Sequence, residues 1–433
     1  MAAKRPGEGA FPIANGSKWG DKAMKYSSDL VVGWCPGALK PFESGDGLIV
    51  RVRLHLGRLS LVQLETLVNA AERFGDGNLY LSNRANVQLR GVTGEKHQAL
   101  LEVLAAAGLV DDDPRVEAIR NIQVSPAVEL GVHARLAAGL VAKLEAALAG
   151  LEALYELPGK FGVAVQAGNE IDTGVTSDVT FLVQDERIAT VLEGALDKAI
   201  VSGNTNAAAK GFASIAMAFL RLRRANPAIR RMRDAVALLG VEGVAREAGF
   251  EAAAHGLRVA EAPAPVGDLG GAYGIGFAFG EIARDALQEL TAVMRREGIA
   301  EAGVSPHRAF VFPALGPEKA ALAELAKRLG AIADPGDIRL RLHRCPGQPA
   351  CRRGTVESKR HAEAVLGALA GTAFKGKIHI SACEKLCAYQ HETDITAIAK
   401  DGFYTVTAPG TKVAKAVSGA DLPAVIAELA RSA

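Results

Sequence analysis

Hydrophobic and polar positions alternate in two stretches near the start of the chain, and a helical pattern separates them. The alternating stretches are GLIVRVRLHL (47–56) and LYLSNRANVQLRGV (79–92), and a period of two is typical of strands with one buried face. Between them, SLVQLETLVNAAERF (60–74) has helical spacing, and Ser60 is a candidate N-cap. With a further helix over 95–106, this order predicts a small α/β module.

The same order of patterns returns in the second half of the chain. The dipeptide HR at 307–308 occupies the place that NR at 83–84 has in the first copy. Because internal repeats determine a whole architecture, we predict a duplication, in which each of two small modules is followed by a larger α/β module. The segments that carry this prediction are YGIGFAFG (273–280), DALQELTAVMRREG (285–298), AGVSPHRAFVFPAL (302–315), GKFGVAV (159–165), DVTFLV (178–183) and KIHISA (377–382).

The segment 203–262 lies between the two halves and is rich in alanine, with helical spacing. It contains the basic run FLRLRRANPAIRRMR (219–233). One interpretation is a solvated helical connector, and the other is a basic wall that faces an anionic substrate or an electron donor. The stretch EAPAPVGDLGG (261–271) has the glycine and proline content of a linker.

Composition narrows the class of protein. The 433 residues are 49% hydrophobic, yet no run of about 18 apolar residues predicts a membrane span. The basic N-terminus lacks the apolar core of a secretory signal. A net charge of +2 argues against bulk nucleic-acid binding. Five cysteines, an odd and sparse count, argue against a disulfide scaffold and predict a cytoplasmic protein whose cysteines bind metal or do catalysis.

Four of the five cysteines are clustered. Cys345 and Cys351 are separated by five residues, and Cys383 and Cys387 by three. Four thiolates from two loops can surround a cubane 4Fe-4S cluster, because each iron takes one thiolate. The basic side chains beside these ligands could offset the negative charge of cluster and thiolates, and they are Arg344, Arg352, Arg353 and Lys385.

A zinc site held by the same thiolates is the alternative. Zinc sites favour two to four residues between paired ligands, so the five-residue gap fits zinc poorly. Cys35 stands apart in GWCPGALKPF. It is open whether Cys35 is a buried small hydrophobe, a reactive thiol near the active site or an extra ligand.

Basic residues recur at strand ends in the first half. Arginine binds carboxylates through two parallel hydrogen bonds, and lysine supplies a point charge. Because these basic residues share a position on repeated strand motifs, we predict that they line a binding site for a substrate with many carboxylate arms, such as a tetrapyrrole precursor. The residues are Arg51, Arg53, Arg84, Arg90, Arg120 and Lys160.

These motifs resemble those of the sirohaem-dependent sulfite and nitrite reductases. The spacing of the four cysteines is that family's cluster motif, and LSNRANVQLRG (81–91) resembles its tetrapyrrole-contacting strand. The resemblance implies that Arg51 and Arg120 contact anion and cofactor and that Lys160 in LPGKF is catalytic. One departure is Gly162, where sulfite-type reductases carry a second basic residue.

The resemblance extends from about residue 30 to residue 430. It implies an α+β fold with a duplicated architecture, two ferredoxin-like half-modules and two larger α/β modules. The expected boundaries are a leader (1–30), the first half-module (31–108), the first reductase-like module (109–202), a helical connector (203–265), the second half-module (266–330) and the 4Fe-4S module (331–433).

Within that superfamily the chain resembles the precorrin-3B synthases of aerobic cobalamin biosynthesis. WCPGALKPFESGDGLIVRVR, RCPGQPACRRG and HISACEKLCAY carry this likeness, although Ala382 and Leu386 stand where glycines are usual. It implies O₂-dependent hydroxylation of precorrin-3A at C20, with formation of a γ-lactone. The catalytic residues would be Arg51, Arg120 and Lys160, and all six basic residues would contact the tetrapyrrole.

The likeness also implies a mononuclear non-haem iron, for which His391, Glu392 and Asp394 are candidate ligands. Electrons would come from a donor protein or a reduced nicotinamide, since no dinucleotide-binding fingerprint stands in a strand–turn–helix setting. The main alternative function is a sirohaem-dependent sulfite or nitrite reductase, with sirohaem bridged to the cluster through Cys387. A second alternative is a non-catalytic iron–sulfur electron carrier.

Overall fold

The first copy of the repeat forms a small sheet covered by two helices. The computed structural model describes residues 35–126, 133–184, 187–389, 392–410 and 413–432, so the predicted leader lies outside the described residues. The elements of the first copy are β1 (Phe42–Ser44), β2 (Gly47–Val52), β3 (Arg58–Ser60), α1 (Leu61–Phe74), β4 (Leu79–Leu81), β5 (Val87–Val92) and α2 (Gly94–Ala106).

Helix α1 begins where the sequence predicts. The Ser60 hydroxyl accepts a hydrogen bond from the Gln63 N–H, and the Gln63 side chain accepts one from the Ser60 N–H. This reciprocal capping box satisfies two backbone donors that the helix leaves open. The apolar face of α1, including Leu64 and Leu67, is fully buried.

A larger sheet and its covering helices follow. Its strand order is β12-β11-β10-β9-β7-β6. The elements are α3 (Pro114–Ile119), β6 (Ile122–Val124), α4 (Ala134–Gly150), β7 (Val163–Ala167), β8 (Glu170–Asp172), β9 (Val179–Gln184), β10 (Arg187–Leu192), β11 (Ala195–Gly203), α5 (Thr205–Ala225), α6 (Met232–Glu247), β12 (Ala253–Ala254) and β13 (Arg258–Ala260).

The predicted connector is part of this larger module. Phe212 and Phe219 of α5 are fully buried in its hydrophobic core. The arginines of the basic run pair with carboxylates of the same module, as in Arg224–Glu156 at 2.7 Å. Arg231 and Arg233 likewise contact Glu193. Helices α5 and α6 therefore cover a sheet, and the interpretation as a solvated connector is wrong.

The second copy repeats the first without insertion. Leu56 and Ala85 are non-glycine residues with positive φ in the first copy. Their counterparts in the second copy, Phe279 and Arg308, also have positive φ and are separated by the same number of residues. The elements are β14 (Gly267–Asp268), β15 (Ala272–Gly276), β16 (Glu281–Ile282), α7 (Arg284–Glu297), β17 (Glu301–Ser305), β18 (Ala309–Pro313) and α8 (Glu318–Arg328).

This register corrects one expectation. Arg308 corresponds to Ala85, and His307 corresponds to Arg84, so the predicted alignment of the two dipeptides was wrong by one residue. The turn hydrogen bonds establish this alignment of the two copies. In the first copy the N–H of Ala85 donates to the carbonyl of Ser82, and in the second copy the N–H of Arg308 donates to the carbonyl of Ser305.

The two copies exchange edge strands. Strand β3 of the first copy pairs with β17 of the second, where Leu59 lies opposite Ala302. Strand β16 of the second copy pairs with β4 of the first, where Ile282 lies opposite Leu79. One continuous hydrophobic core includes both copies. Each half therefore completes the sheet of the other.

The second larger sheet has the order β19-β20-β21-β22-β23, with the same sequence of parallel and antiparallel pairings as β6-β7-β9-β10-β11. Its elements are α9 (Ile338–Arg341), β19 (Leu342–Arg344), α10 (Ser358–Leu369), β20 (Ile378–Ser381), β21 (Ile395–Lys400), β22 (Phe403–Thr407), β23 (Ala414–Val417) and α11 (Leu422–Ser432). Within the described ranges, no helix has the length and apolar character needed to cross a bilayer.

Candidate active site

The clustered cysteines lie in two loops at one edge of the second larger sheet. Cys345 follows β19 directly, and Cys383 follows the parallel neighbour β20 by one residue. Because parallel strands end at the same edge of a sheet, the two loops meet there. Cys351 and Cys387 lie further along the same loops, and none of these thiols forms a disulfide.

Hydrogen-bond donors surround the sulfur of Cys345. The Cys387 thiol bonds it and the Ala382 N–H lies 3.1 Å away, whereas the Ser358 hydroxyl donates to the Cys345 carbonyl at 2.7 Å. These donors lower the pKa of Cys345 to about 6, because they stabilise its thiolate. The pKa of Cys387 is raised, since that thiol donates to the negative sulfur beside it. The loop therefore favours the thiolate, which is the metal-binding form.

The cysteine arrangement differs from a mononuclear site. In the part of the chain that the structure describes, no three Cys, His, Asp or Glu side chains converge as one metal ion requires. Zinc holds each sulfur about 2.3 Å away, whereas a cubane distributes four thiolates over its irons. The 4Fe-4S cluster stays a prediction for these four thiols, and zinc stays its alternative.

The first half-module supports the loop that carries Cys351. The Ser44 hydroxyl and the Arg90 guanidinium both donate to the carbonyl of Ala350, at 2.5 and 3.2 Å. A side chain at Gly45 would lie only 2.2 Å from the Pro349 carbonyl oxygen. The hairpin β1–β2 therefore packs directly on the cysteine loop, and Gly45 allows that approach.

Three of the predicted basic residues in the first half have a cationic group that pairs with no carboxylate of the described residues, and we call these three the open cations. Among the described residues, Arg51, Arg84 and Lys160 have no carboxylate partner, and the Nε of Arg51 is buried without a hydrogen bond. The pKa of Arg51 is lowered to about 10, mainly by burial and in smaller part by the neighbouring charge of Arg84. Burial also lowers the pKa of Lys160, with contributions from Arg84 and from Lys385 of the cysteine segment. Arg51, Arg84 and Lys160 therefore lie near one another, and Lys160 lies within electrostatic range of Lys385.

Cys35 lies at the same place. It is half-buried and lies within electrostatic range of Arg51 and Lys160. Its backbone N–H lies 3.6 Å from the position that a side chain at Gly159 would take. Cys35 thus lies beside Arg51 and Lys160, and it is not one of the groups around the sulfur of Cys345.

The other predicted arginines have internal partners. Arg53 pairs with Glu117 at 3.1 Å and is only 3% exposed. Arg120, 2% exposed, binds Asp111 at 2.9 Å and the carbonyl of Arg53 at 3.0 Å.

Arg90 contacts Asp46 at 2.9 Å, besides the Ala350 carbonyl. The guanidiniums of Arg53, Arg120 and Arg90 thus bind carboxylates and carbonyls within the protein, and they are not free to bind a ligand. The catalytic role expected for Arg120 therefore has no geometric support.

The structure gives a steric reason for Gly162. A Cβ at this position would lie 2.4 Å from the Ser177 hydroxyl. Asp178, fully buried, accepts the Gly162 N–H at 2.9 Å and binds Arg231 at 2.9 Å. Sequence reasoning missed Ser177 and Asp178, because their contact with the Lys160 loop comes from strand pairing. No local motif would have indicated it.

The candidate ligands of a second iron are only partly described. His391 lies outside the described residues. Asp394 accepts the Lys377 N–H at 2.7 Å, so one of its oxygens has a structural role. Glu392 is exposed. The second iron stays a prediction.

Comparison with known proteins agrees with this geometry. Residues 40–107 match the family described as the nitrite/sulfite reductase ferredoxin-like half domain. A precorrin-3B synthase from Sinorhizobium sp is 26% identical over 402 residues, which cover 87% of this chain and 83% of that protein. Residues 40–107 thus resemble the nitrite/sulfite reductase half domain, and most of the chain is similar to a precorrin-3B synthase.

A further relative and a solved structure show the range of the likeness. A ferredoxin–nitrite reductase from Synechococcus elongatus is 34% identical over 128 residues, which cover 28% of this chain and 25% of that protein. The structure of Mycobacterium tuberculosis NirA superposes with a TM-score of 0.64 at 19% identity, over 88% of this chain and 79% of that one. The predicted α+β fold of duplicated reductase type is confirmed.

Proposed function

We propose that this protein is an oxygenase of the precorrin-3B synthase type, which hydroxylates precorrin-3A at C20 and forms a γ-lactone. One oxygen atom of O₂ enters the product and the other leaves as water, with two electrons from an external donor. The observation that carries the proposal is the set of open cations, Arg51, Arg84 and Lys160, beside Lys385 of the cysteine segment. The full-length likeness to a precorrin-3B synthase supports it.

The open cations would hold the carboxylate arms of the tetrapyrrole. Arg51 and Arg84 can each bind a carboxylate through two N–H groups, and Lys160 adds a mobile point charge. Burial strengthens these interactions, because few waters compete for the guanidinium of Arg51. Because several carboxylate arms would be held at once, the position of the bound tetrapyrrole alone would determine which ring carbon is hydroxylated.

Cys345, Cys351, Cys383 and Cys387 would bind a 4Fe-4S cluster, which supplies single electrons when bound. The donors around Cys345 and the support of the Cys351 loop fit this role. Electrons would reach the protein from a donor protein or a reduced nicotinamide. A mononuclear non-haem iron would supply oxygen-activating chemistry, and its candidate ligands are His391, Glu392 and Asp394.

A sirohaem-dependent reductase is the second candidate, favoured by the matched half-domain. Sulfite-type reductases place a second basic side chain where this chain has Gly162. Here the Ser177 hydroxyl fills that space, so no larger side chain fits without displacement. This observation favours the oxygenase.

The test is a spectrum of the protein purified without oxygen, followed by acid–acetone extraction and an assay with precorrin-3A and O₂. We expect broad iron–sulfur absorption, no extractable sirohaem, and product with one atom of ¹⁸O from ¹⁸O₂. Stoichiometric sirohaem with sulfite or nitrite reduction would establish the second candidate instead.

A further inference from the structure

One face of the second larger sheet carries two histidines that meet a tyrosine of the cysteine segment. His343 lies directly opposite His379 in the parallel pairing of β19 with β20, so both side chains are on the same face. The ring of Tyr389 stacks on that of His343, with centroids 3.8 Å apart and ring planes at 14°. The hydrophobic core lies against the other face and includes the alternating residues Leu342, Ile378 and Ile380.

Two further side chains contact the ring of Tyr389. The ring of His379 meets it edge-on, with centroids 6.5 Å apart and planes at 80°. Lys377 comes two residues before His379, and its ammonium lies 5.6 Å from the Tyr389 centroid and shares a hydrogen bond with the hydroxyl. Lys377 also pairs with Glu261 at the start of the linker. Three side chains therefore hold Tyr389 in place.

The stack connects the two cysteine segments. His343 precedes Cys345 by two residues. Tyr389 follows Cys387 by two residues. The Cys387 thiol also bonds the sulfur of Cys345. The ring stack and the thiol contact thus join the same two segments at neighbouring positions, and contacts of this kind behind a ligand fix the orientation of the ligand itself.

The segment of Cys387 needs such a connection because its backbone is strained. Leu386, directly before Cys387, has a φ of 50°, which is the left-handed conformation that a leucine adopts only at a cost in energy. A strained residue keeps its conformation where the surrounding structure holds it. Leu386 is 6% exposed, and the stack of Tyr389 anchors the chain three residues later. Both contacts supply the surroundings that the strained turn requires.

The first copy makes the corresponding connection with a different side chain. Gln123 occupies the place of His343, because each is the second residue of the matching strand, β6 or β19. The Gln123 amide donates to the carbonyl of Val175 at 2.6 Å, in the segment between β7 and β9. Both copies therefore tie this segment to the neighbouring strand. The aromatic form of the tie occurs in the half that carries the clustered thiols.

We propose that Tyr389 is a positioning residue of the four-thiol site, which keeps Cys387 in place relative to Cys345 through its stack on His343. This inference rests on the proposed function, in which the thiols are metal ligands. The stack needs the ring and not the hydroxyl. Loss of the ring should therefore loosen the segment of Cys387, whereas loss of the hydroxyl alone should leave it in place.

Three variants of Tyr389 separate these contributions. Tyr389→Ala removes the stack, Tyr389→Phe keeps it, and Tyr389→Leu removes the ring but keeps more of the apolar volume, should the alanine variant not fold. The matched control is Phe403→Ala, which removes an exposed aromatic side chain of β22 in the same sheet. None of these changes alters a thiol.

The position of the thiols is measured first without metal. Metal-free protein is treated with diamide, which takes up two electrons and two protons as a pair of thiols becomes a disulfide. Peptide mass spectrometry then gives the rate at which Cys345 is linked to Cys387. Each protein is next reconstituted with iron and sulfide without oxygen, and the electron paramagnetic resonance spectrum and the midpoint potential are recorded.

We expect Tyr389→Ala to lower the rate of the Cys345–Cys387 linkage about fivefold, the effect of losing one aromatic contact. Tyr389→Phe and Phe403→Ala should keep the rate of the unaltered protein. In reconstituted protein, Tyr389→Ala should change the g-values and the midpoint potential, and Tyr389→Phe should restore both.

An unchanged linkage rate in both Tyr389→Ala and Tyr389→Leu would overturn the inference. Failure of the proposed cluster would look different, because the unaltered protein would then link Cys345 to Cys387 normally and yet bind no iron and sulfide. The linkage rates of the variants would still decide the role of Tyr389 in that case.

Discussion

The matching edges of the two larger sheets carry different chemistry. In the first half, the positions after β6 and β7 are Ser125 and Gly168. In the second half, the corresponding positions after β19 and β20 are Cys345 and Cys383, with the same backbone pairing. One backbone therefore presents thiols in one copy and small neutral residues in the other.

The open cations show the reverse distribution. Arg51 and Arg84 of the first half correspond to Gly274 and His307 of the second, and His307 lies 3.5 Å from the carboxylate of Asp172. Lys160 of the first half lies within electrostatic range of Lys385 of the cysteine segment. The two halves thus divide this chemistry: the clustered thiols lie in the second half, whereas Arg51, Arg84 and Lys160 lie in the first. A substrate between them would contact both.

The strongest way to break this division is to remove a thiol. We expect Cys383→Ser to lose the iron and sulfide of the cluster and all turnover, because one iron would lack its thiolate. Iron and acid-labile sulfide analysis of protein purified without oxygen measures this. Cys35→Ser is the control and should keep the full iron content. Equal iron in Cys383→Ser and the unaltered protein would contradict the assignment.

Removing a cation tests the other half. We expect Lys160→Ala to lower kcat/KM by roughly 10²-fold, about 3 kcal/mol, because a charged partner of the substrate is lost. Lys160→Arg should recover part of it. Iron content should not change in either variant. An unchanged kcat/KM in Lys160→Ala would remove this lysine from the site.

The same lysine predicts a pH dependence. Its pKa is lowered from the ordinary value by burial, then by Arg84 and Lys385. The cation is therefore lost as pH rises through a value below 10.5, and tetrapyrrole affinity should decline there. Affinity measured against pH should show this decline in the unaltered protein, and Lys160→Arg should move it to higher pH.

The second half has its own titrating group. Burial, and then Arg308, lower the pKa of His379 to about 4, whereas an unfolded histidine has the ordinary value of about 6.5. The unfolded chain binds the additional proton between these values, so stability present above pH 6.5 is lost as pH falls towards 4.

We expect this loss to amount to about 1–3 kcal/mol of unfolding free energy. His379→Ala, which copies Ala164 of the first half, should weaken the pH dependence in chloride buffer. Denaturant unfolding at pH 7 and pH 5 measures both proteins. Identical pH slopes would show that His379 is not held neutral.

Local patterns predicted the repeat and the start of α1, because alternation and capping depend on neighbours in sequence. They did not predict the exchange of β3 and β16, which depends on pairing between distant segments. The charges of Arg53 and Arg120 were visible in the sequence. Their partners Glu117 and Asp111 became apparent only when the fold brought them together.

The smallest expected effect concerns Gly162, whose counterpart in the second half is Lys377. A Cβ at Gly162 would meet the Ser177 Oγ at 2.4 Å but the Ser177 Cβ at an ordinary 3.6 Å. We therefore expect Gly162→Ala to lower the unfolding free energy by about 1–3 kcal/mol through overpacking.

Adding Ser177→Ala should restore most of this stability, because only the hydroxyl clashes. Denaturant unfolding of the two single variants and the double variant forms a complete cycle. If the double variant is no more stable than Gly162→Ala, Ser177 does not keep this position empty. The absence of a second lysine would then need a cause other than packing, and the steric argument against sulfite reduction would fail.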